Sequence, residues 1–158
     1  MTDVDLKEGL LTVRGAKFGK SRLVPLHAST VTELTKYQSQ RKEFLHGRAA
    51  SHFFVSAGAK HINQGQVRNI FYILLHQVGL RESSAHEGPR VHDFRHGFAI
   101  ETMIRWYRSG EDVERRLPLL SAFLGHVHVS DTYWYLTACP ELMGLSLKLL
   151  EQRWEAKL

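Results

Sequence analysis

Two stretches of the sequence decide the fold and the chemistry: VHDFRHGFA, residues 91–99, and LGHVHVSDTYWYL, residues 124–136. Among their residues are two imidazoles, a guanidinium and a phenol that could act together, carried by His92, His126, Arg95 and Tyr135. An arginine offers a planar fork of N–H donors for two phosphate oxygens. A histidine can donate a hydrogen bond or move a proton near neutral pH. A tyrosine can attack covalently if neighbouring cations favour its phenolate, so this set suits attack of a protein hydroxyl on a phosphodiester without a metal ion.

The two stretches resemble the two signature boxes of the tyrosine recombinases, the phage integrase family. HDFRHGFA is similar to the family's HxLRHTFA box, and LGHVHVSDTYWY is similar to its LGHxxxxxTxxxY box. The nine-residue step from His126 to Tyr135 matches the family's step from its second motif histidine to its nucleophile. Because both boxes occur in the family's order, the resemblance is far more specific than one HxxR motif.

Composition sets the broad class of the protein. The chain has 158 residues, 43% of them hydrophobic and 23% charged, which predicts one globular domain with a real core. No apolar run is long enough to suggest a membrane span, and MTDVDLKEGL lacks the apolar segment of a signal peptide. The single cysteine, Cys139, excludes an internal disulfide and fits a reducing cytosol. The net charge of +5 favours polyanionic partners, although many basic proteins bind none.

The first 25 residues predict a β-hairpin with a basic tip. LLTVRG and SRLVPL are short apolar runs joined by the Gly-containing AKFGK. Four cations with no acid between them lie on its tip and flanks, at Arg14, Lys17, Lys20 and Arg22. By composition alone this is a solvated edge hairpin guarded against aggregation. The resemblance implies instead a hairpin that enters the DNA minor groove, with Lys17 as the catalytic lysine and Arg14, Lys20 and Arg22 as DNA contacts.

The remaining chain predicts helices with one further strand. A helix is expected over HASTVTELTKYQSQRKEFL, with a capping box from Thr30 to Glu33, and a strand over residues 52–56. Asn63 should cap a helix to about Val78 whose apolar stripe is core. Two later helices are expected from His92 or Asp93 to Arg108 and from Val113 to Phe123, the second disturbed at Pro118. A short helix should follow the caps Ser130 and Asp131. The last helix should run from Pro140 to Glu155, with these side chains packed: Leu142, Leu145, Leu149 and Trp154.

Three alternatives stay open at the site. Asp93 could neutralise Arg95, which would make that guanidinium structural rather than phosphate-binding. Tyr133 competes with Tyr135 for the nucleophile role, and only the nine-residue spacing selects Tyr135. His92 and His96 have the i, i+4 spacing of a metal pair, so a zinc hydrolase completed by His126 and His128 is a weaker third hypothesis.

The resemblance covers essentially residues 1–158 and implies a mostly helical α+β catalytic domain with a small antiparallel sheet at one edge. It implies that Tyr135 attacks duplex DNA to give a 3′-phosphotyrosine, that Arg95 holds nonbridging oxygens, and that Lys17 protonates the leaving 5′ oxygen. His92 would accept or orient the tyrosine proton, and His126 would donate to a phosphate oxygen. No cofactor or metal is expected; the expected partners are double-stranded DNA and further recombinase protomers, with no membrane. A bacterial or phage-encoded cytoplasmic protein, associated with the nucleoid and with a mobile element, is the matching expectation.

One departure from the family pattern concerns the start of the chain. The family carries another arginine in a GLRxxE-type helix before the DVDL strand, and an N-terminal helical domain that closes on DNA; neither is present in residues 1–158. The chain is therefore expected to be a truncated recombinase that binds DNA weakly, forms little or no adduct alone and performs no full recombination. Arg14, Arg90 and Arg105 are the first candidates to replace the arginine. The alternative is a non-catalytic DNA-binding remnant of an integrase.

Overall fold

The computed structural model describes residues 3–16, 19–82 and 88–155. Over these residues the chain forms three strands, β1 (Val4–Asp5), β2 (Leu10–Val13) and β3 (Arg22–Pro25), and six helices, α1 (Ala28–Leu45), α2 (Gln64–Gln77), α3 (Asp93–Arg108), α4 (Val113–Leu124), α5 (Ser130–Ala138) and α6 (Pro140–Glu155). The predicted mostly helical α+β class is confirmed. The chain divides into two compact units, Met1–Leu74 and Leu75–Leu158. No helix in the described part has the length and apolar character needed to cross a membrane.

The three strands form an antiparallel sheet in the order β1-β2-β3, which confirms the predicted hairpin. Leu10 lies opposite Pro25 and Val13 opposite Arg22, so the pairing extends to the base of the basic tip. At the tip, the Gly19 amide donates to the Ala16 carbonyl at 2.8 Å. Gly19 has a φ of +70°, a left-handed conformation that glycine adopts without Cβ strain. The turn chemistry therefore holds the hairpin even though its strands are only half buried or exposed.

Two predictions in the first unit are wrong, one at α1 and one after it. The helix begins two residues before the predicted capping box, because His27 is the N-cap and its ring accepts from the Ser29 amide at 3.3 Å. Residues 52–56 do not form a strand; only an isolated bridge joins Val55 to His61. Side chains hold this segment instead of a neighbouring strand. The buried Arg41 guanidinium donates to the carbonyls of Ala50 and His52, at 3.1 and 2.8 Å.

Helix α2 starts as predicted but does not pack as predicted. The Asn63 side chain accepts from the Gln66 amide, and the Gln66 side chain accepts from the Asn63 amide, both at 2.9 Å. This reciprocal pair is a capping box. The predicted core stripe is mostly exposed, since Val67, Ile70 and Leu74 are 47%, 55% and 51% accessible, whereas Leu75 is buried. Helical periodicity shows that one face is apolar, but it cannot show that a neighbour covers that face.

The second unit contains a compact helical core. Helix α3 packs against α4, α5 and α6, and α5 packs against α4 and α6. The buried residues of this core are Ala99, Met103, Ile104, Val113, Leu117, Leu120, Leu124, Tyr135 and Leu142. Burial at i, i+4, i+7 and i+11 along α4 gives one continuous apolar face. The predicted helices α3, α4, α5 and α6 are confirmed.

Three details of these helices correct the sequence predictions. Pro118 does not interrupt α4, because the proline is exposed and the carbonyl left without its amide partner can face water. Ser130 and Asp131 are not the cap of α5; the N-cap residue is Val129, with no side-chain cap bond. Trp154, predicted to pack, is 71% exposed, while Leu142 of the same helix is fully buried.

Candidate active site

The first part of the site lies at the N-terminal end of α3. Residues three and four apart share one face of a helix, so His92, Arg95 and His96 follow the same line as the fully buried Ala99 and Met103. The core therefore fixes the part of this face that carries Ala99 and Met103, and the polar side chains lie at the N-terminal end, which is more accessible to solvent. Arg95 and His96 are half-buried and His92 is exposed.

Asp93 does not neutralise Arg95. Its carboxylate accepts from the Arg90 amide at 2.8 Å and forms an ion pair with the Arg90 guanidinium at 3.4 Å. The hydrogen bond from the Arg90 backbone is the main reason that the pKa of Asp93 lies below its ordinary value. The Arg95 guanidinium instead donates to the Leu124 carbonyl at the end of α4. Because this bond is to a neutral acceptor, the positive charge of Arg95 remains available for an anion.

The second part follows α4, where the chain turns sharply. Gly125 ends the helix with a φ of +78°, and the His126 amide then donates to the Ser121 carbonyl at 3.0 Å. This turn delivers His126 beside the start of α5. Nδ1 of His126 lies 2.8 Å from the Thr132 hydroxyl, and Thr132 is fully buried. Thr132 therefore fixes one edge of the imidazole.

The pKa of His126 is lowered from its ordinary 6.5. Burial is the largest cause and the positive charge of Arg95 is the second, while Asp131 opposes them. The neutral imidazole is therefore favoured in this structure. If Thr132 donates to Nδ1, the ring proton resides on Nε2, which leaves an N–H donor at the other edge.

Tyr135 completes the group on α5. Its side chain is 2% exposed, and its ring lies 6.1 Å from the His126 ring with the planes 15° apart. The His96 and Trp134 rings lie 5.5 and 5.4 Å from it. Tyr133, the competing tyrosine, is 49% exposed and has none of these ring contacts in the described part of the chain. The structure thus groups Tyr135, rather than Tyr133, with the two histidines.

The resemblance of the RH pair to that of the family implies that His96 packs or hydrogen-bonds behind the site. Its ring contacts those of His92 and Trp134, at centroid distances of 4.9 and 5.3 Å, in addition to Tyr135. Its Nδ1 atom is buried and has no hydrogen-bond partner among the described residues. The contact of Thr132 with His126 could not be predicted from the sequence. A hydroxyl six residues after a histidine carries no recognisable signal until the turn that starts α5, in which the Thr132 amide donates to the Val129 carbonyl, brings the two together.

The basic residues of the hairpin belong to the first unit. Lys17, the predicted catalytic lysine, lies outside the described residues. Arg14 forms an exposed ion pair with Asp3 at 2.7 Å, so part of its charge is neutralised. Lys20 is exposed and Arg22 is half-buried at the start of β3. These positions fit a basic surface on the hairpin.

Of the arginines considered as replacements, Arg90 lies nearest to the site in sequence but binds Asp93. Arg105 lies ten residues beyond Arg95 on α3, which the helical rise converts to about 15 Å. The described residues contain no group of three or more His, Cys, Asp or Glu side chains arranged to hold a metal ion. The His96 ring packs instead on His92 and Tyr135, and the His126 ring packs on Tyr135.

The sequence model of the phage integrase family matches residues 1–141. A Sinorhizobium fredii protein named as an integrase/recombinase, y4rB, is 49% identical over 156 residues, which is 98% of this chain and 50% of the relative. Tyrosine recombinase XerD of Ralstonia nicotianae is 32% identical over 134 residues, 84% of this chain and 39% of the relative. The chain thus spans about half or less of the length of these relatives.

Two solved structures share the fold. A XerA recombinase superposes with a TM-score of 0.68 at 22% identity, covering 97% of this chain and 49% of the other. A XerH site-specific recombinase, solved with its palindromic difH substrate as a post-cleavage complex, gives 0.62 at 19% identity, covering 96% and 39%. The helical core, the two motif boxes and the matching family pattern together define the class: this chain belongs to the phage integrase family of tyrosine recombinases.

Proposed function

We propose that this chain carries the strand-cleaving chemistry of a site-specific DNA recombinase. The observation that supports it best is the grouping of Tyr135 with His126 and His96 beside an arginine whose charge no carboxylate among the described residues cancels. A phosphoryl-transfer site needs a placed nucleophile and fixed positive charge where the nonbridging oxygens develop negative charge. The substrate would be duplex DNA, and the net charge of +5 suits a polyanion.

The proposed reaction is a transesterification. The Tyr135 oxygen attacks phosphorus, its proton passes to His92, and the bond from phosphorus to the 5′ oxygen breaks. Lys17 gives the departing oxygen a proton, leaving a 3′-phosphotyrosine and a free 5′-hydroxyl. Attack by a 5′-hydroxyl of another strand reverses these steps and rejoins the DNA. No water is consumed, so the energy of the phosphodiester is kept in the protein–DNA bond.

Each cation has a distinct part in this scheme. Arg95 would use its remaining N–H donors for two nonbridging oxygens, because only one is directed at the Leu124 carbonyl. His126 would donate from Nε2, the edge opposite Thr132, in the neutral form that its lowered pKa favours. Full recombination also needs several protomers on DNA, and we propose a homo-oligomer of the whole recombinase, in the bacterial cytoplasm, as the working assembly.

A second candidate is a DNA-binding remnant that no longer cuts. The 2% exposure of Tyr135 favours it, since a nucleophile must reach its phosphate. The two candidates differ in one product, the covalent adduct.

The test uses a pool of nicked duplexes of random sequence, because the target sequence is not known. A nick releases a short leaving strand and traps the covalent complex. We expect a slow adduct that survives denaturation, maps to Tyr135 by mass spectrometry, persists in EDTA, and falls about 10²–10³-fold in Arg95→Ala. DNA binding with no adduct would favour the remnant. Cleavage lost in EDTA and restored by zinc or magnesium would point to another chemistry.

A further inference from the structure

Two neighbouring imidazoles at the start of α3 each have hydrogen-bonding capacity that the described structure leaves unused. His96 has a buried Nδ1 atom without a partner among these residues. His92, four residues earlier, is the helix N-cap but makes no side-chain cap bond. Their rings meet at a centroid distance of 4.9 Å and an interplanar angle of 82°. An edge of one ring is thus turned toward the other at close range.

An unpaired buried nitrogen has an energetic cost. Burying a polar atom without a hydrogen bond destabilises the folded state, and such atoms in native proteins call for an explanation. Packing alone would be served by phenylalanine, which fills similar space without the penalty. A donor that pairs with Nδ1 in the working state would account for a histidine at this position.

The neighbours of His96 restrict where that donor can be. The rings of Trp134 and Tyr135, which belong to α5, lie 5.3 and 5.5 Å from the His96 ring. They therefore hold the imidazole against its own helix, α3. The Arg95 guanidinium is directed at the Leu124 carbonyl, and the proposed function assigns its remaining donors to phosphate. The exposed imidazole of His92 has an N–H donor, the freedom to rotate and the shortest ring distance to His96.

We propose that His96 is a positioning residue for His92: its Nδ1 accepts a hydrogen bond from one ring N–H of His92. The bond fixes the tautomer of His92, because the proton held toward His96 leaves the other nitrogen bare. The bare nitrogen is then ready to accept the proton of Tyr135. His96 touches neither phosphate nor the transferred proton in this scheme. The inference rests on the proposed function for its purpose, but the hydrogen bond itself can be measured without catalysis.

The first arm measures the tautomer directly. With ¹⁵N-labelled histidine, two-bond ¹H–¹⁵N correlations at pH 8 distinguish the two neutral tautomers, and His92→Phe assigns the His92 signals. We expect His92 to populate one tautomer in the native chain and a mixture of both in His96→Phe, which keeps an aromatic ring but removes both nitrogens. The same tautomer distribution in both proteins would overturn the proposal.

The second arm uses adduct formation on the nicked duplex pool. His96→Phe should slow the adduct at least tenfold while changing DNA affinity less than twofold, and His96→Asn, which offers an amide oxygen near the Nδ1 position, should recover most of the rate. In a His92→Phe background, His96→Phe should add no further loss. An additional loss there, or a normal rate in His96→Phe, would overturn the proposal. If the native chain forms no adduct, the proposed function fails, and the tautomer measurement still decides whether His96 positions His92.

Discussion

The two units differ in how firmly their functional residues are held. In Leu75–Leu158, nine buried residues form one core, and the candidate nucleophile Tyr135 is itself part of it. In Met1–Leu74, Arg41 and Leu45 are the buried residues among those described. The basic hairpin of that unit relies on backbone pairing and turn geometry instead. The candidate nucleophile thus lies in a packed helical core, and the basic hairpin lies in a more lightly packed unit.

This difference fits two different tasks. A reacting group must be held within a fraction of an ångström, which requires side chains locked by packing and by supporting hydrogen bonds. A cation that contacts the DNA backbone tolerates more variation in its position, since its attraction to phosphate depends only weakly on geometry. Variants in each unit can test the contrast, starting from the largest effect.

The largest effect on stability should come from emptying the packed core. Leu117→Ala removes a side chain that is 2% exposed, and such changes typically cost about 2–5 kcal/mol. Ile70→Ala, on the 55% exposed face of α2, should cost less than about 1 kcal/mol. Urea unfolding of both variants measures the two costs. An equal cost would show that α2 is covered and that the contrast between the units is false.

The next effect concerns the hydrogen bond that fixes His126. Thr132→Val keeps the shape of a fully buried residue but removes the hydroxyl 2.8 Å from Nδ1 of His126. We expect a loss of about 1 kcal/mol in the free energy of unfolding, and slower adduct formation. Thr137→Val is the matched control, since it makes the same change on the exposed side of α5. If both variants lose the same stability, the buried hydrogen bond does not stabilise the protein more than an exposed one.

A smaller effect should appear in the salt dependence of DNA binding. If about four to six phosphates are neutralised, log K should fall with log salt at a slope near −4 to −5. Lys20→Ala, in the hairpin, should reduce that slope by about 0.9, because one phosphate contact is lost. Lys36→Ala removes the same charge from α1, where the lysine pairs with Glu33 at 2.7 Å, and should leave the slope unchanged. Affinity that is independent of salt would contradict a DNA-binding hairpin.

The smallest effect should be a pH dependence of stability at His126. Its folded pKa is below the unfolded 6.5, so the unfolded chain binds the proton more tightly. The stability contributed by the neutral ring is fully present above about pH 6.5 and should be lost as the pH falls below 6.5 and through the lower folded pKa. Melting temperatures from pH 8 to 5 should therefore fall more steeply for the native chain than for His126→Gln. Parallel curves would contradict the lowered pKa.

The sequence predicted best those features that local rules determine. The hairpin follows from two apolar runs around Gly19, and α3 from its apolar period and its stop before Gly110. Residues 52–56 look like a strand, but Arg41 holds their carbonyls, a contact between distant positions that no local pattern contains. The α2 stripe shows the same limit, since an apolar face does not identify its partner.

The site shows this division at the level of single residues. The motif spacing predicted the grouping of His126 with Tyr135, because both lie on the short segment that leads from Gly125 into α5. The bond from Arg95 to the Leu124 carbonyl and the unpaired Nδ1 of His96 depend on how α3, α4 and α5 meet. Those contacts depend on tertiary packing, which could not be predicted from the sequence motifs.

The most direct test of the assigned nucleophile compares two tyrosines two residues apart on the same helix. Tyr135→Phe and Tyr133→Phe each remove one hydroxyl and keep the ring, so packing changes little in either. On the nicked duplex pool, we predict that Tyr135→Phe forms no covalent DNA adduct while Tyr133→Phe still forms it. An adduct that persists in Tyr135→Phe and disappears in Tyr133→Phe would contradict the assignment of the nucleophile to the buried phenol.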